Sequence, residues 1–155
     1  MSNSEQMCLL LNKSVYLDEG TVAKHDIVCY KVIAKGFYDE SQSDIKYFYQ
    51  TPCACERVDI DIIEKNGEFA ANKDDRPHYA TTVLSIGWIH TYKTLKGAWN
   101  LISRLVYESG PRSYLQVYKC VIPKGTCYFE GEDLLTDKTS YASDKIRFVA
   151  QIKKK

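Results

Sequence analysis

The 155-residue chain has no apolar run approaching the ~20 residues that a membrane-crossing helix needs. Neither sign of charge prevails, with 21 Lys and Arg against 20 Asp and Glu. That balance leaves no global field to recruit nucleic acid or an anionic membrane. The terminal Lys153-Lys154-Lys155 is too short for a nucleic-acid patch. No membrane partner and no sequence-specific nucleic acid are therefore expected. Motif residues are missing as well. There is no Gly-x-Ser-x-Gly elbow, no Walker-type loop and no Gly-x-Gly-x-x-Gly turn. The histidines His25, His78 and His90 form neither His-x₃-His nor His-Glu-x-x-His, which leaves a zincin-type metal without ligands. No linker or repeat divides the chain, so one domain over residues 1–155 is expected. Residues 1–11 have no basic segment and only a short apolar run, which predicts a cytoplasmic protein without a secretion signal.

What is present suits a folded domain. Leu, Ile, Val and Phe make up about a quarter of the residues, above the roughly 20% level that marks disorder. Six cysteines occur, at positions 8, 29, 53, 55, 120 and 127. A cytoplasmic chain of this length needs no disulfides, so reduced thiols packed as small hydrophobes are expected. Cys53 and Cys55 have one residue between them, whereas structural zinc prefers Cys-x₂₋₄-Cys. A hairpin around Pro123 would bring Cys120 and Cys127 close. The reading is no metal and no cofactor.

Alternation predicts most of the elements. Residues 26–33 read as a strand with both faces at least partly covered, and residues 45–50 as a second strand. In residues 57–64, Val58, Ile60 and Ile62 alternate with Asp59 and Asp61, which predicts a half-buried strand. Asn66-Gly67 then suits a type I′ hairpin turn, with residues 68–71 as the return arm. Residues 72–77 read as a charged loop, and residues 81–92 as a long strand interrupted at Gly87. Residues 95–108 carry Leu95, Ala98, Trp99, Ile102, Leu105 and Val106 at helical spacing. Thr94 is the expected N-cap, Gly110-Pro111 the stop, and Trp99 and Ile102 the packing face. A strand over 113–122 leads to a type I turn with Pro123 second and Gly125 fourth, then to a short arm over 126–129. The last strand, 145–152, places Ile146, Phe148, Ala150 and Ile152 on one core face. The predicted class is α+β: a mostly antiparallel sheet packed on one main amphipathic helix, about 95–108.

The expected ligand contacts are Trp88, His90, Tyr92 and Lys124. The first three lie on the strand that runs into the helix N-terminus, where unpaired N–H groups favour an anion. His90 and Tyr92 share one side of an extended chain, and Lys124 would add a cation if its turn folds over the same edge. Twelve tyrosines against five phenylalanines suit interfaces and stacking pockets. No catalytic residue is expected.

Three phrases carry a resemblance: Gly87-Trp88-Ile89-His90-Thr91-Tyr92, then Ile122-Pro123-Lys124-Gly125-Thr126 with Tyr128 and Gly131, then Tyr141-Ala142-Ser143-Asp144. Over roughly residues 86–148 the chain resembles small uncharacterised proteins of gut Bacteroidales and their phages. The resemblance implies a phage or mobile-element origin and brings no assigned chemistry. Residues 121–126 are also similar to the strand and turn of ADP-ribosyltransferases, in which the turn follows a catalytic glutamate. Here Val117 and Lys119 occupy the candidate positions for that carboxylate. The leading expectation is a non-enzymatic binding protein that sequesters a host protein or a nucleotide-like small molecule. The alternatives are a nucleotide- or NAD-directed enzyme and a virion-associated structural protein. Homo-oligomerisation is left open.

Overall fold

The computed structural model describes residues 9–10, 20–38, 47–50, 57–76, 83–84, 87–109, 115–133 and 139–153. The chain begins with strands β1 (Leu9–Leu10), β2 (Thr21–Val22), β3 (Ile27–Tyr38), β4 (Tyr47–Gln50) and β5 (Arg57–Val58). Helix α1 (Ile60–Glu64), β6 (Glu68–Ala70), a 3₁₀ turn (Lys73–Asp75), β7 (Val83–Leu84) and β8 (Ile89–Tyr92) follow. Helix α2 (Leu95–Ser109) precedes β9 (Leu115–Ile122), β10 (Cys127–Asp133), β11 (Thr139–Ser143) and β12 (Lys145–Ile152). Among the described residues every strand pairing is antiparallel, and the main order is β6-β12-β9-β3-β8-β11-β10-β1-β7. The result is a mostly antiparallel α+β fold. Among the described residues no helix is long and apolar enough to cross a membrane.

Strand β3 buries side chains on both faces over residues 29–34, while Val28 remains 44% exposed. Cys29 and Ile33 enter one core with Tyr118, Cys120, Ile122, Ile146 and Phe148. Val32 and Ala34 enter the other, beneath Ala98, Leu101 and Leu105 of α2. The buried line of that helix therefore runs through residues 98, 101 and 105, while Trp99 and Ile102 are only partly buried at its flank. This corrects the expected packing face by about one position.

The sheet closes on itself at a single residue. Only Asp144 separates β11 from β12 in sequence, yet β9, β3 and β8 lie between them in the sheet. The Asp144 N–H donates to the Cys127 carbonyl at 3.2 Å, and its carbonyl accepts from the Ala71 N–H at 2.8 Å. The β10–β11 ladder thus hands over directly to the β6–β12 ladder. Sheet closure also explains how side chains from β6, β8, β9, β11 and β12 share one core.

Four local expectations are corrected. Residues 57–64 are not one strand: β5 ends at Val58, and α1 begins at Ile60 with Asp59 as its N-cap. Asp59 and Asp61 therefore share no strand face. Asn66-Gly67 is the C-terminal cap of α1 rather than a hairpin turn. Asn66 adopts φ 55°, and the Gly67 N–H donates to the Ile62 carbonyl at 2.7 Å. That is the Schellman arrangement, with asparagine taking the left-handed position usually held by glycine. At the β9–β10 turn, Thr126 N–H donates to the Pro123 carbonyl and Gly125 has φ +88°. Proline is thus first and glycine third, the position where a type II turn needs positive φ. Finally, a register shift between Phe148 and Ala150 breaks the alternation of β12. Ile146 and Phe148 enter the first core, Ile152 lies against the second, and Ala150 is exposed. One extra residue in a strand reverses the face of everything after it.

Candidate functional site

The closure point at Asp144 gathers a partly buried group of side chains. Gly87, with φ +82°, turns the chain just before β8 and brings Trp88 beside the 3₁₀ turn. The Asn72 side chain accepts from the Asp74 N–H at 3.2 Å and caps that turn. Arg76 follows, and its Nε donates to the Gly87 carbonyl at 2.7 Å. Its Nη2 donates to the Asp144 carboxylate. Its guanidinium lies over the Trp88 ring, 3.4 Å from the centroid. Trp88 also meets Phe129 edge-to-face, with centroids 5.1 Å apart at 87°. Lys73 stands 3.7 Å from Asp144 and is largely exposed.

Chemically this is a planar cation seated over an indole. Its in-plane donors are engaged by a carbonyl and a carboxylate, which fixes the plane. The opposite face of the guanidinium points away from Trp88, and the Arg76 side chain retains 20% exposure. Gly87 makes the arrangement sterically allowed. A Cβ there would stand 2.5 Å from Arg76 Cγ and 3.0 Å from Arg76 N, at a φ that L-residues avoid. Gly87→Ala is therefore expected to lose about 1–2 kcal/mol from backbone conformation alone. Arg76 should also be displaced from Trp88, read as a change in tryptophan fluorescence. An unchanged melt and spectrum would show that this close approach is not real.

No known protein family, curated protein or solved structure matched the chain.

The other expected contacts lie deeper. Tyr92 is almost fully buried, its hydroxyl donating to the Asp133 carboxylate. Gly97 lets helix α2 pass directly over the Tyr92 ring, since a Cβ at 97 would stand 2.9 Å from Tyr92 Cδ1. The helix N-terminus is capped as expected, with Thr94 Oγ1 accepting from the Gly97 N–H at 3.1 Å. His90 is 7% exposed, and its carbonyl accepts from Lys31 Nζ at 2.9 Å. Ser140 and Ala142 of β11 face Tyr92 and His90 across the ladder. Tyr92 and His90 therefore build the interior behind Trp88 rather than its surface.

Lys124 is engaged through its backbone. Its backbone N–H donates to Asp26 Oδ1 at 2.9 Å, and Asp26 Oδ2 accepts from Arg147 at 3.1 Å. Asp26 immediately precedes β3, whereas Tyr92 faces Tyr30. Because β8 runs antiparallel to β3, His90 and Trp88 lie progressively farther from Asp26. Trp88, His90 and Tyr92 thus stand within five consecutive residues, while the Lys124 backbone is held at Asp26.

The cysteines are rearranged as well. Strands β9 and β10 are not paired, so the turn at Pro123 does not set Cys120 opposite Cys127. Cys120 instead faces Cys29 of β3. Burial pushes the Cys29 thiol up to about 12, against smaller opposing effects of the Thr91 hydroxyl and the Lys31 ammonium. Burial, with Cys29 beside it, also raises the Cys120 thiol well above its ordinary value. Cys8, Cys53 and Cys55 lie outside the described residues. Among the described residues no group of three or more His, Cys, Asp or Glu is placed to hold a metal.

Neither Arg76 nor Asp144 is among the expected ligand contacts, and Asp144 enters only through the Tyr141–Asp144 phrase. Arg76 sits in what reads as a solvated charged loop. Asp144 does carry a signal, as an acidic residue immediately before the apolar pattern of residues 145–152. Lys31 carries one too, a lone cation inside an apolar strand that proves 4% exposed.

Proposed function

We propose that this chain is a non-enzymatic binding protein that sequesters a nucleotide-like small molecule. It would be encoded by a phage or mobile element and act in the bacterial cytoplasm. The observation that carries the reading is the Arg76–Trp88 stack. Guanidinium planes and aromatic rings are the surfaces on which unpaired bases stack. Arg76 is already oriented by Gly87 and Asp144, so less side-chain freedom is lost when a ring settles on it. Lys73, exposed and 3.7 Å from Asp144, supplies a cation for a phosphate. In this reading α2 is the main amphipathic cover of the sheet, and Tyr92, Asp133 and His90 hold β8 in place behind the platform.

The protonated state of the buried thiols supports binding over nucleophilic chemistry. The transferase-like turn supports no transferase step. Val117 is buried in the core under α2, Lys119 is half-buried, and neither offers a carboxylate.

Native mass spectrometry of protein purified from bacterial cells, followed by fluorescence titration with adenosine and guanosine diphosphates, tests the proposal. A retained nucleotide-sized mass, or saturable quenching, is the expected result. Arg76→Ala should weaken binding at least ~10-fold, the equivalent of one lost base stack. Lys124→Ala should leave it unchanged. A host protein retained without any small molecule, or no response to either nucleotide, would overturn the proposed ligand class.

A further inference from the structure

We propose that Cys29 and Cys120 form a cross-strand disulfide site, closed by exchange with a low-molecular-weight disulfide when the sheet opens. The two residues are directly opposed in the β3–β9 ladder, which runs from Ile27↔Ile122 to Ala34↔Leu115. Both side chains are fully buried in the same core. Directly opposed residues in antiparallel strands have Cα atoms about 4.5 or 5.5 Å apart, inside the roughly 4.4–6.8 Å span of disulfides. The backbone spacing of this register therefore lies within the reach of a disulfide. Both thiols are free in this structure. The Cys120 thiol donates to the Tyr118 carbonyl at 3.6 Å, so bond formation requires it to turn from its own strand towards Cys29.

The chemistry is two successive exchanges. One cysteine thiolate attacks a sulfur of the small disulfide, forming a mixed disulfide and expelling one small thiolate. The second cysteine thiolate then attacks the protein-bound sulfur, closes the Cys29–Cys120 bond and expels the other small thiolate. The two protein thiols lose two electrons and two protons. The small disulfide gains both and leaves as two thiols.

Burial determines when this happens. With both sulfurs inside the core and their thiolates disfavoured, exchange in the closed sheet is blocked. Local opening or refolding exposes them, and the restored register then sets them face to face. Closing a loop of this length constrains the unfolded chain far more than the folded one. The inference stands independently of the ligand proposed for Arg76 and Trp88.

Refolding the full chain from denaturant in oxidised and reduced glutathione, then alkylation and peptide mapping, provides the test. The expected map links Cys29 to Cys120, and the melting midpoint rises by about 10 °C over the reduced protein. Incubating the folded protein in the same buffer should form the link at least ~10-fold more slowly than refolding does, because the opened population is small. Cys127→Ser should retain both link and shift. Free thiols at 29 and 120 after refolding, or a map joining either one to another cysteine, would overturn the proposal.

Discussion

Phe148→Ala is expected to lower the unfolding free energy by about 3–5 kcal/mol, the usual cost of deleting a buried aromatic ring. Phe148 is 1% exposed and meets Tyr118 edge-to-face, with ring centroids 5.7 Å apart. It also stands opposite Cys120, immediately before the irregularity in β12. The backbone there is tied down as well, because the Phe148 N–H donates to the Gly67 carbonyl at 3.1 Å. Local collapse cannot readily refill the space when both neighbouring strands are fixed in their ladders. Urea denaturation measures the loss. A cost below about 1 kcal/mol would place the ring outside the core and undo the assignment of faces in β12.

Leu101→Ala should cost about 2–5 kcal/mol, and more than Trp99→Ala despite the larger ring at position 99. Leu101 is fully buried between Ala98 and Leu105, against Val32 and Val117 of the sheet. Truncation there leaves a cavity under the middle of the helix. Trp99 is only partly buried at the side of the same cluster. Alanine at 99 removes contact area but lets water into the vacated space, so the cavity contribution is small. The ranking is the sharper measurement. If Trp99→Ala costs more than Leu101→Ala, the helix is rotated on the sheet relative to the structure.

The helix shows how far periodicity reaches. Spacing of three and four residues locates α2, and Thr94 marks its start, because capping and amphipathicity are local properties. The same spacing does not distinguish a stripe centred on Leu101 from one centred on Ile102, since adjacent stripes overlap. Strand β12 shows the opposite limit. Its pattern is regular through Phe148, and nothing in the side chains announces the register shift that follows. Residues 57–64 expose the ambiguity of short segments. Val58, Ile60 and Ile62 alternate as in a strand, yet a five-residue helix forms because Asn66 supplies a C-terminal cap. Asn-Gly serves a hairpin turn and a helix cap equally well, since both need a left-handed residue.

By itself the sequence determined the chemistry of the segments: a chain without a dominant charge, strands in their approximate places, and a helix capped at Thr94. It also placed His90 and Tyr92 on one strand, with Trp88 at its start; Trp88 lies just before β8. The tertiary structure alone decided which segments meet. Cys29 faces Cys120 because β3 and β9 are neighbours, and Arg76 covers Trp88 because the sheet closes at Asp144. It also decided that Tyr92 is spent on Asp133 and that Lys124 is anchored to Asp26. The physical reason is one of range. Alternation, capping and turn chemistry act over a few residues, whereas strand order and closure arise from burying both faces of β3 at once, by contacts between residues far apart in the chain.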